Sequence, residues 1–588
     1  MESKALQIYS EVGREEAAFH LYKGSTDAEK AAIVEELANR PENELLEYLD
    51  QIVDMMRMYP SPEIKKAVCR AVQNAGDSGL PYCQEIAGLL VDDDSEVKYQ
   101  ACVTLAVQGT FAAGAQPSVE RLLEDPSDAV RCGAVTALGA FEAKDCAERI
   151  AALLSDRSPE VQGAACIALG RLGETGANSA SDVAEKVDEP RSRLQALYAL
   201  GTMESEGAKH CEKVVECLED SDAEIRLVAA QMAGQMASAV KESSTAWGKL
   251  TGLLGHGDGF VRCAAALACG YMGEAAADQC DDLKEMLNDD FMDSGVNALT
   301  VGGCRSRMPP STRKTKCAAA AALGLIAQTG ADVAVDVYAS EVSSLLNDED
   351  WETRMVACEA LAMMGERAKD QATKLSSIFD DEKYAVRSKA AYACGKLKDA
   401  DVASGLADLI ADNCPSVREE AMLALAELGD DGTEYIEKVF EKINDYSPTC
   451  RAAAMTALGR MGEKGQFYAG AIAQRLLEGG EERAAQLPPD LLAALLELLT
   501  VALGPRCKLL ALQLFQAPEA LAAVIIPIVA ALPGCTSPRV ACWGLLLCDR
   551  LPHWLDVPEF KPRSGQLLEA ALPSLAAAAC RLLAASPL

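Results

Sequence analysis

DPSDAVRCGAVTALGAF, residues 125–141, is one copy of a string that recurs along most of this 588-residue chain. In most copies an Asp is followed six residues later by Arg, Lys or Gln, and then by Ala-Leu and Gly. One ordinary globular core stops growing near ~250–300 residues, so a chain of this length needs several domains or a repeat array. The recurring string predicts the array.

The basic position of the string sets the period of the repeat. Most successive copies lie 31–33 residues apart, which suits two helices and two turns. One step of 54 residues contains NDDFMDSGVNALTVGG, a copy that has lost its Arg, and so divides into 33 + 21. The aligned positions are Lys65, Lys98, Arg131, Gln162, Arg193, Arg226, Arg262, Lys316, Arg354, Arg387, Arg418 and Arg451. This spacing predicts about thirteen helical hairpins over residues 60–483, with a degenerate unit and an insertion at about 289–315.

Within one unit, apolar residues recur at helical spacing. Val130, Ala134 and Leu138 share one face of a first helix. AKDCAERIAALL then predicts a second amphipathic helix. A Gly just beyond the first helix is expected to end it as a C-terminal cap; this Gly occurs at Gly173, Gly273, Gly365, Gly429 and Gly462. The fold class is therefore predicted to be an all-α solenoid.

The Asp and Arg of the string are predicted to form a structural ladder. The Asp ends one unit and the Arg opens the next, so the carboxylate should accept N–H bonds at a helix start while the Arg reaches an Asp of its own or a neighbouring unit. Each exposed rung should contribute about 0.5 kcal/mol and mainly fix the register. The predicted ladder comprises Asp92, Asp125, Asp156, Asp220, Asp348, Asp412, Asp445, Arg131, Arg226, Arg262, Arg354, Arg418 and Arg451.

LLEDPSDAVRCGAVTALG and LLSDRSPEVQGAACIALGRLG resemble short HEAT repeats of the phycobilisome-lyase type, over about residues 60–483. The resemblance implies a right-handed superhelix with the first helices on the convex side and the second helices lining a concave groove. It also implies two classes of function, because such repeats occur in adaptors and in bilin lyases. We expect a non-enzymatic scaffold that binds a partner protein or peptide. The alternative is a bilin-lyase-like enzyme or enzyme subunit acting on a chromophore-bearing protein.

The charge of the chain points to the type of partner. The formal charge is −34, and residues 484–588 contain equal numbers of acidic and basic side chains, so the whole excess lies in residues 1–483. A field of this sign repels nucleic acid and favours encounter with a basic protein or peptide. Carboxylates of the second helices are the candidate partner contacts: Glu212, Glu216, Asp281, Asp282 and Glu285.

Catalytic and metal motifs are not found in the sequence. The four histidines, His20, His210, His256 and His553, are not followed by Glu, unlike the His-Glu pairs of the related deoxyhypusine hydroxylase. His256 lies six residues before Arg262 and is expected to replace a ladder Asp. The 22 cysteines contain no CxxC and follow the repeat, which predicts small buried thiols in a reducing, cytoplasmic compartment. No cofactor and no membrane span are expected.

Three segments depart from the repeat. Residues 1–59 are predicted to form an N-terminal helical cap, and residues 484–588, rich in Leu, Ala and Pro, a separate C-terminal helical segment. The insertion GCRSRMPPSTRKTK is either a docking or regulatory loop or an exposed loop with solvated charge. Its basic residues are Arg305, Arg307, Arg313 and Lys314, together with Lys316.

Overall fold

A computed structural model describes residues 26–40, 45–46, 48–291, 309–331, 333–461, and residues 464, 465 and 468. Over these residues the chain forms α-helices and 3-10 helices joined by turns, with no β-strand. The predicted all-α solenoid is therefore confirmed. The degenerate unit around residues 292–303 and the C-terminal segment 484–588 lie outside the described residues.

Each repeat begins with a long first helix. Asp94, Asp222 and Asp350 cap three of these helices by accepting backbone N–H bonds. Pro occupies the first turn of others, where no intrahelical N–H bond is lost. The first helices are Pro62–Asn74, Ser95–Gln108, Asp128–Ala140, Pro159–Arg171, Arg193–Thr202, Ala223–Gln235, Gly259–Met272, Thr315–Gln328, Trp351–Met364, Tyr384–Leu397, Pro415–Glu427 and Pro448–Arg460.

The second half of most repeats differs from the single amphipathic helix predicted. AKDCAERIAALL folds as a 3-10 turn at Lys144–Cys146, an α-helix at Ala147–Ala152 and another 3-10 turn from Leu153. The principal second α-segments are Cys83–Ala87, Gln116–Arg121, Ala147–Ala152, Ala180–Glu185, Cys211–Glu216, Ser244–Leu253, Cys280–Glu285, Val335–Ser344, Ala372–Ser376, Ala403–Leu409 and Ile436–Glu441. Short α-helices Glu174–Ala177, Glu204–Ala208 and Ala237–Glu242 precede three of them. The 3-10 helices are Gly76–Tyr82, Gly88–Val91, Gly109–Ala115, Leu122–Glu124, Lys144–Cys146, Leu153–Ser155, Lys186–Asp188, Cys217–Glu219, Gly273–Gln279, Met286–Asn288, Pro310–Thr312, Leu345–Asn347, Gly365–Gln371, Ala400–Val402, Gly432–Tyr435 and Lys442–Asn444.

Small side chains let successive first helices approach closely. A Cβ on Gly139 would lie 2.9 Å from Cα of Ala168, and one on Gly395 would lie 2.8 Å from Cα of Ala424. The predicted C-terminal caps at Gly273 and Gly365 have φ of +58° and +60°, a conformation that glycine adopts without a Cβ clash. Glycine therefore allows the close spacing of these helices and ends the two first helices that precede Gly273 and Gly365.

The chain divides into two compact units at Ala275/Ala276. The first unit begins, in its described part, with helices Asp27–Ala38 and Leu49–Met58. Thr26 and Glu29 form a capping box at the start of the first of these, and this helix packs on Pro62–Asn74. The N-terminal cap over residues 1–59 stays a prediction, since residues 1–25 lie outside the described part of the chain.

Candidate functional site

The Arg of each repeat connects two successive turns. Arg131 donates Nη1 to the backbone oxygen of Asp125 at 2.8 Å, six residues earlier. It also donates Nε and Nη2 to both carboxylate oxygens of Asp156, at 2.8 Å each, 25 residues later. Oδ1 of Asp156 in turn accepts the backbone N–H of Ser158 at 2.8 Å. These two turns are thus tied together by one guanidinium and one carboxylate.

The same arrangement recurs in both units. Two-bond guanidinium–carboxylate pairs are Arg131–Asp156 in the first unit, and Arg354–Asp381, Arg387–Asp412 and Arg418–Asp445 in the second. Single contacts join Lys65–Asp92, Lys98–Asp125, Arg193–Asp220 and Lys316–Asp348. Arg226, Arg262 and Arg451 donate to the backbone oxygens of Asp220, His256 and Asp445, respectively.

The rungs are more buried than the exposed pairs expected from the sequence. The side chains of Arg418 and Asp445 are 3% and 5% exposed, and those of Arg131 and Asp156 are 6% and 8% exposed. The hydrogen bond from Arg131 lowers the pKa of Asp156. A surface-pair value of about 0.5 kcal/mol therefore does not apply, because losing one partner would leave a buried charge.

Two positions show how the ladder varies. Gln162 replaces the Arg of its repeat and donates Nε2 to the backbone oxygen of Asp156 at 2.7 Å. His256 occupies the Asp place and accepts the backbone N–H of Asp258 at Nδ1, over 3.1 Å. The imidazole thus takes the place of a carboxylate at a helix start.

Asp381 belongs to the ladder but was not among the aspartates predicted from the sequence. It receives both Arg354 bonds, at 2.6 and 3.0 Å, and its backbone oxygen accepts Nη1 of Arg387 at 2.7 Å. Its position six residues before Arg387 was the signal that could have identified it.

The five candidate contact carboxylates all lie exposed on second α-segments. Glu212 and Glu216 belong to Cys211–Glu216 in the first unit. Asp281, Asp282 and Glu285 belong to Cys280–Glu285 in the second.

Two of these carboxylates already contact neighbouring segments. Oε1 of Glu212 accepts from Ser243 Oγ at 2.9 Å, and Oδ1 of Asp281 accepts from Tyr338 Oη at 3.1 Å. Each unit therefore has its own acidic patch on the surface formed by its second segments, called here the second-segment face.

A pocket of about 230 Å³ lies beside Glu216 in the first unit. At this pocket Asp188 lies five residues before Arg193, whereas the usual Asp-to-Arg spacing of the repeat is six residues. Lys213 pairs with Asp188 at 2.7 Å. Burial raises the pKa of the Cys217 thiol in its wall to about 11, so this thiol is protonated at neutral pH. The lining residues are Val187, Asp188, Arg193, Lys213, Glu216, Cys217, Glu219 and Asp220.

The described part of the insertion contacts the start of the first helix Trp351–Met364. Arg313 donates Nη2 to Glu352 Oε1 at 2.5 Å. Lys314, whose side chain is 4% exposed, donates Nζ to Asp350 Oδ2 at 2.6 Å and also bonds Glu352. These two cations are therefore not the solvated charges of an exposed loop. Arg305 and Arg307 lie outside the described residues.

Among the described residues no group of His, Cys, Asp and Glu could hold a metal ion. No helix in the described part is long and apolar enough to span a membrane. The described cysteines are free thiols, and most are buried. Burial raises the pKa values of Cys102 and Cys166 to about 12. Such thiols are poor nucleophiles at neutral pH.

Comparisons with known proteins agree with this architecture. A family model described as HEAT repeats matches residues 115–201, 211–296, 309–393, 339–426 and 372–442, which together span more than half of the chain. It does not specify the phycobilisome-lyase type. No curated protein matches the chain in sequence.

Solved structures of similar fold include importin beta and Kap95. Importin beta crystallised with ammonium sulfate aligns with a TM-score of 0.54 and 15% identity, over 91% of this chain and 77% of that one. Kap95 in the Kap95:Nup1 complex aligns with a TM-score of 0.53 and 12% identity, over 92% of this chain and 80% of that one. At these identities the likeness concerns the fold alone.

Proposed function

The chain belongs to the HEAT-repeat family, and we propose that it is a non-enzymatic scaffold that binds a partner protein or peptide on its second-segment face. The observation that carries the proposal is the pair of acidic patches formed by exposed carboxylates, one on the second segments of each unit. Glu212 and Glu216 project from one second segment, and Asp281, Asp282 and Glu285 project from another. A basic partner complements this charge.

The buried ladder supports a binding role. Because each rung joins one turn to the next, it holds the second segments in a fixed register, and a preformed surface loses less entropy when it binds. Kap95, which shares the fold, has been solved in complex with Nup1. The resemblance to HEAT repeats implies that this face lines the concave side of the superhelix.

The chemistry of the described residues also favours binding over catalysis. The buried thiols have raised pKa values, and the wall of the 230 Å³ pocket holds opposed charges that pair with each other. The bilin-lyase-like alternative is supported by the repeat resemblance alone. The free, buried cysteines fit a reducing compartment such as the cytoplasm.

Affinity purification with the full chain as bait, followed by mass spectrometry at low and moderate salt, tests the proposal. Recovery of one defined protein should fall as salt rises and should fall further with the double variant Glu212→Gln/Glu216→Gln. The matched control, Glu96→Gln/Glu224→Gln, removes the same charge from exposed positions on first helices. Equal loss with both variants, or recovery of a small-molecule adduct in place of a protein, would contradict it.

A further inference from the structure

A second exposed surface lies at the turns between repeats in the second unit. Two large aromatic side chains, Trp351 and Tyr384, lie there at 36% and 58% exposure, and Tyr446 is 73% exposed. Trp351 and Tyr384 each follow a ladder Asp by three residues, and Pro415 and Pro448 occupy the same place in the next two repeats. We call these five residues the ring row: Trp351, Tyr384, Pro415, Tyr446 and Pro448.

The ladder places the members of the ring row side by side. Arg354, Arg387 and Arg418 each bond the Asp of the following turn. Direct contacts also join the later turns, since Tyr446 Oη donates to the backbone oxygen of Asn413 at 3.3 Å. First helices that pack in contact lie ~8–10 Å apart, so successive ring positions should repeat at about that distance.

The charges and aromatic rings of this surface indicate which kind of ligand it would bind. Glu349, Asp380 and Glu382 are exposed and lie within four residues of Trp351 or Tyr384 along the chain. The edge also contains a cation, Lys383, which lies 3.5 Å from Glu382. Aromatic faces attract cations, and exposed carboxylates add a Coulomb attraction for the same cations.

This surface already contains one contact between a cation and an aromatic ring. The guanidinium carbon of Arg418 lies 4.7 Å from the centroid of the Tyr446 ring. The equivalent places of the first unit have no aromatic ring; they are occupied by Ser95, Asp128, Pro159, Arg191, Ala223 and Gly259. Aromatic residues three places after the ladder Asp thus occur, among the described repeats, only in the second unit, although Phe260 of the first unit lies one residue beyond such a place, 5.2 Å from the guanidinium carbon of Arg226.

We propose that the ring row is a docking surface for an extended peptide that carries Lys or Arg at every third residue with Pro between them. A polyproline II segment advances about 9 Å per three residues, which matches the spacing of successive repeats. The cations stack on Trp351 and Tyr384 beside the carboxylates. The prolines that flank the next two cations pack on Pro415, Tyr446 and Pro448. This surface is separate from the second-segment face and does not depend on it.

Fluorescence anisotropy with the full chain at low salt tests the inference. The probe is a labelled peptide of four Lys-Pro-Pro repeats. Its comparison peptides are a block isomer with all lysines together and an acidic analogue with Glu in place of Lys. The double variant Trp351→Ser/Tyr384→Ser should weaken binding of the probe about five- to thirtyfold. The control Phe111→Ser removes a ring that is 75% exposed in the first unit and should change nothing.

The expected result is tight binding of the spaced peptide, weaker binding of the block isomer and none of the acidic analogue. Equal binding of the two basic peptides would overturn the proposal, because it would show attraction to charge alone. Equal loss with Phe111→Ser, or no binding of the probe, would overturn it too. If Glu212→Gln/Glu216→Gln abolishes peptide binding and the ring variant does not, the ring row is refuted while the second-segment face stands.

Discussion

Replacing Arg418 by Met is expected to lower the free energy of unfolding at its repeat junction by about 3–5 kcal/mol. The side chain removed is 3% exposed and donates to Asp445 at 2.9 and 2.6 Å. It also donates Nη1 to the backbone oxygen of Asp412 at 2.8 Å. Met fills a similar volume but leaves the buried Asp445 carboxylate without its two guanidinium bonds, and the cation that remains, Lys442, lies 4.0 Å away.

The control lies at the same structural place in another repeat. Gln162→Met removes one neutral hydrogen bond, to the backbone oxygen of Asp156, so about 1 kcal/mol should be lost. The double variant Arg418→Met/Asp445→Asn should recover part of the Arg418→Met loss. Asn carries no charge and can still accept the Ser447 N–H that Asp445 accepts at 3.0 Å.

The pH dependence gives an independent check. Burial by itself would raise the pKa of Asp445, but the bonds from Arg418 and Ser447 outweigh it and the pKa is lowered. The stability it contributes is therefore complete above the unfolded pKa of about 3.9 and is lost as pH falls through the folded pKa. In Arg418→Met the pKa of Asp445 should rise. The difference in unfolding free energy between this variant and the natural protein should therefore become smaller as the pH falls and the carboxylate is protonated.

Urea unfolding followed by circular dichroism, with hydrogen exchange of the junction peptide, measures these differences. Hydrogen exchange is needed because a repeat array can open locally without unfolding as a whole. If Arg418→Met costs no more than Gln162→Met at neutral pH, the account of the rungs as buried charge pairs is refuted.

Three further predictions concern packing, acid and thiols. In thermal unfolding, Gly176→Ala should destabilise the protein by more than about 2 kcal/mol, because the new Cβ would lie 2.0 Å from the backbone oxygen of Leu169. The control Gly248→Ala should be neutral or stabilising in this assay, because its new Cβ would meet nothing within 4 Å. Six ladder aspartates have lowered pKa values, because their ion-pair and backbone hydrogen bonds outweigh the effect of burial. The urea midpoint of unfolding should therefore be constant near neutral pH and should decrease when the pH is lowered below about 5. An unchanged midpoint at pH 3 would contradict this. Cys102 and Cys166, with pKa values near 12, should react with iodoacetamide at pH 7.5 only after unfolding, as measured by mass spectrometry of labelled peptides; rapid labelling of the native protein would show that these thiols are not buried.

The sequence by itself determined the helical hairpin, its period and the identity of most junction residues. These features depend on spacing along the chain. Apolar residues at helical intervals define a first helix, and Gly273 and Gly365 end two such helices because glycine tolerates positive φ. The Asp-to-Arg spacing of six residues likewise marks each turn, and the backbone bond from Arg131 to Asp125 spans that same interval.

Only the tertiary structure decided which carboxylate each Arg pairs with and how deeply the pair is buried. Arg131 bonds Asp156, 25 residues away, because stacking brings the next turn against the guanidinium. The residue spacing within one repeat does not specify this contact. Stacking also fixed the close approach of Gly139 to Ala168 in the next repeat and the buried ion pairs of Lys314. Burial and alignment depend on neighbouring repeats, so they are properties of the packed array that a single repeat sequence does not contain.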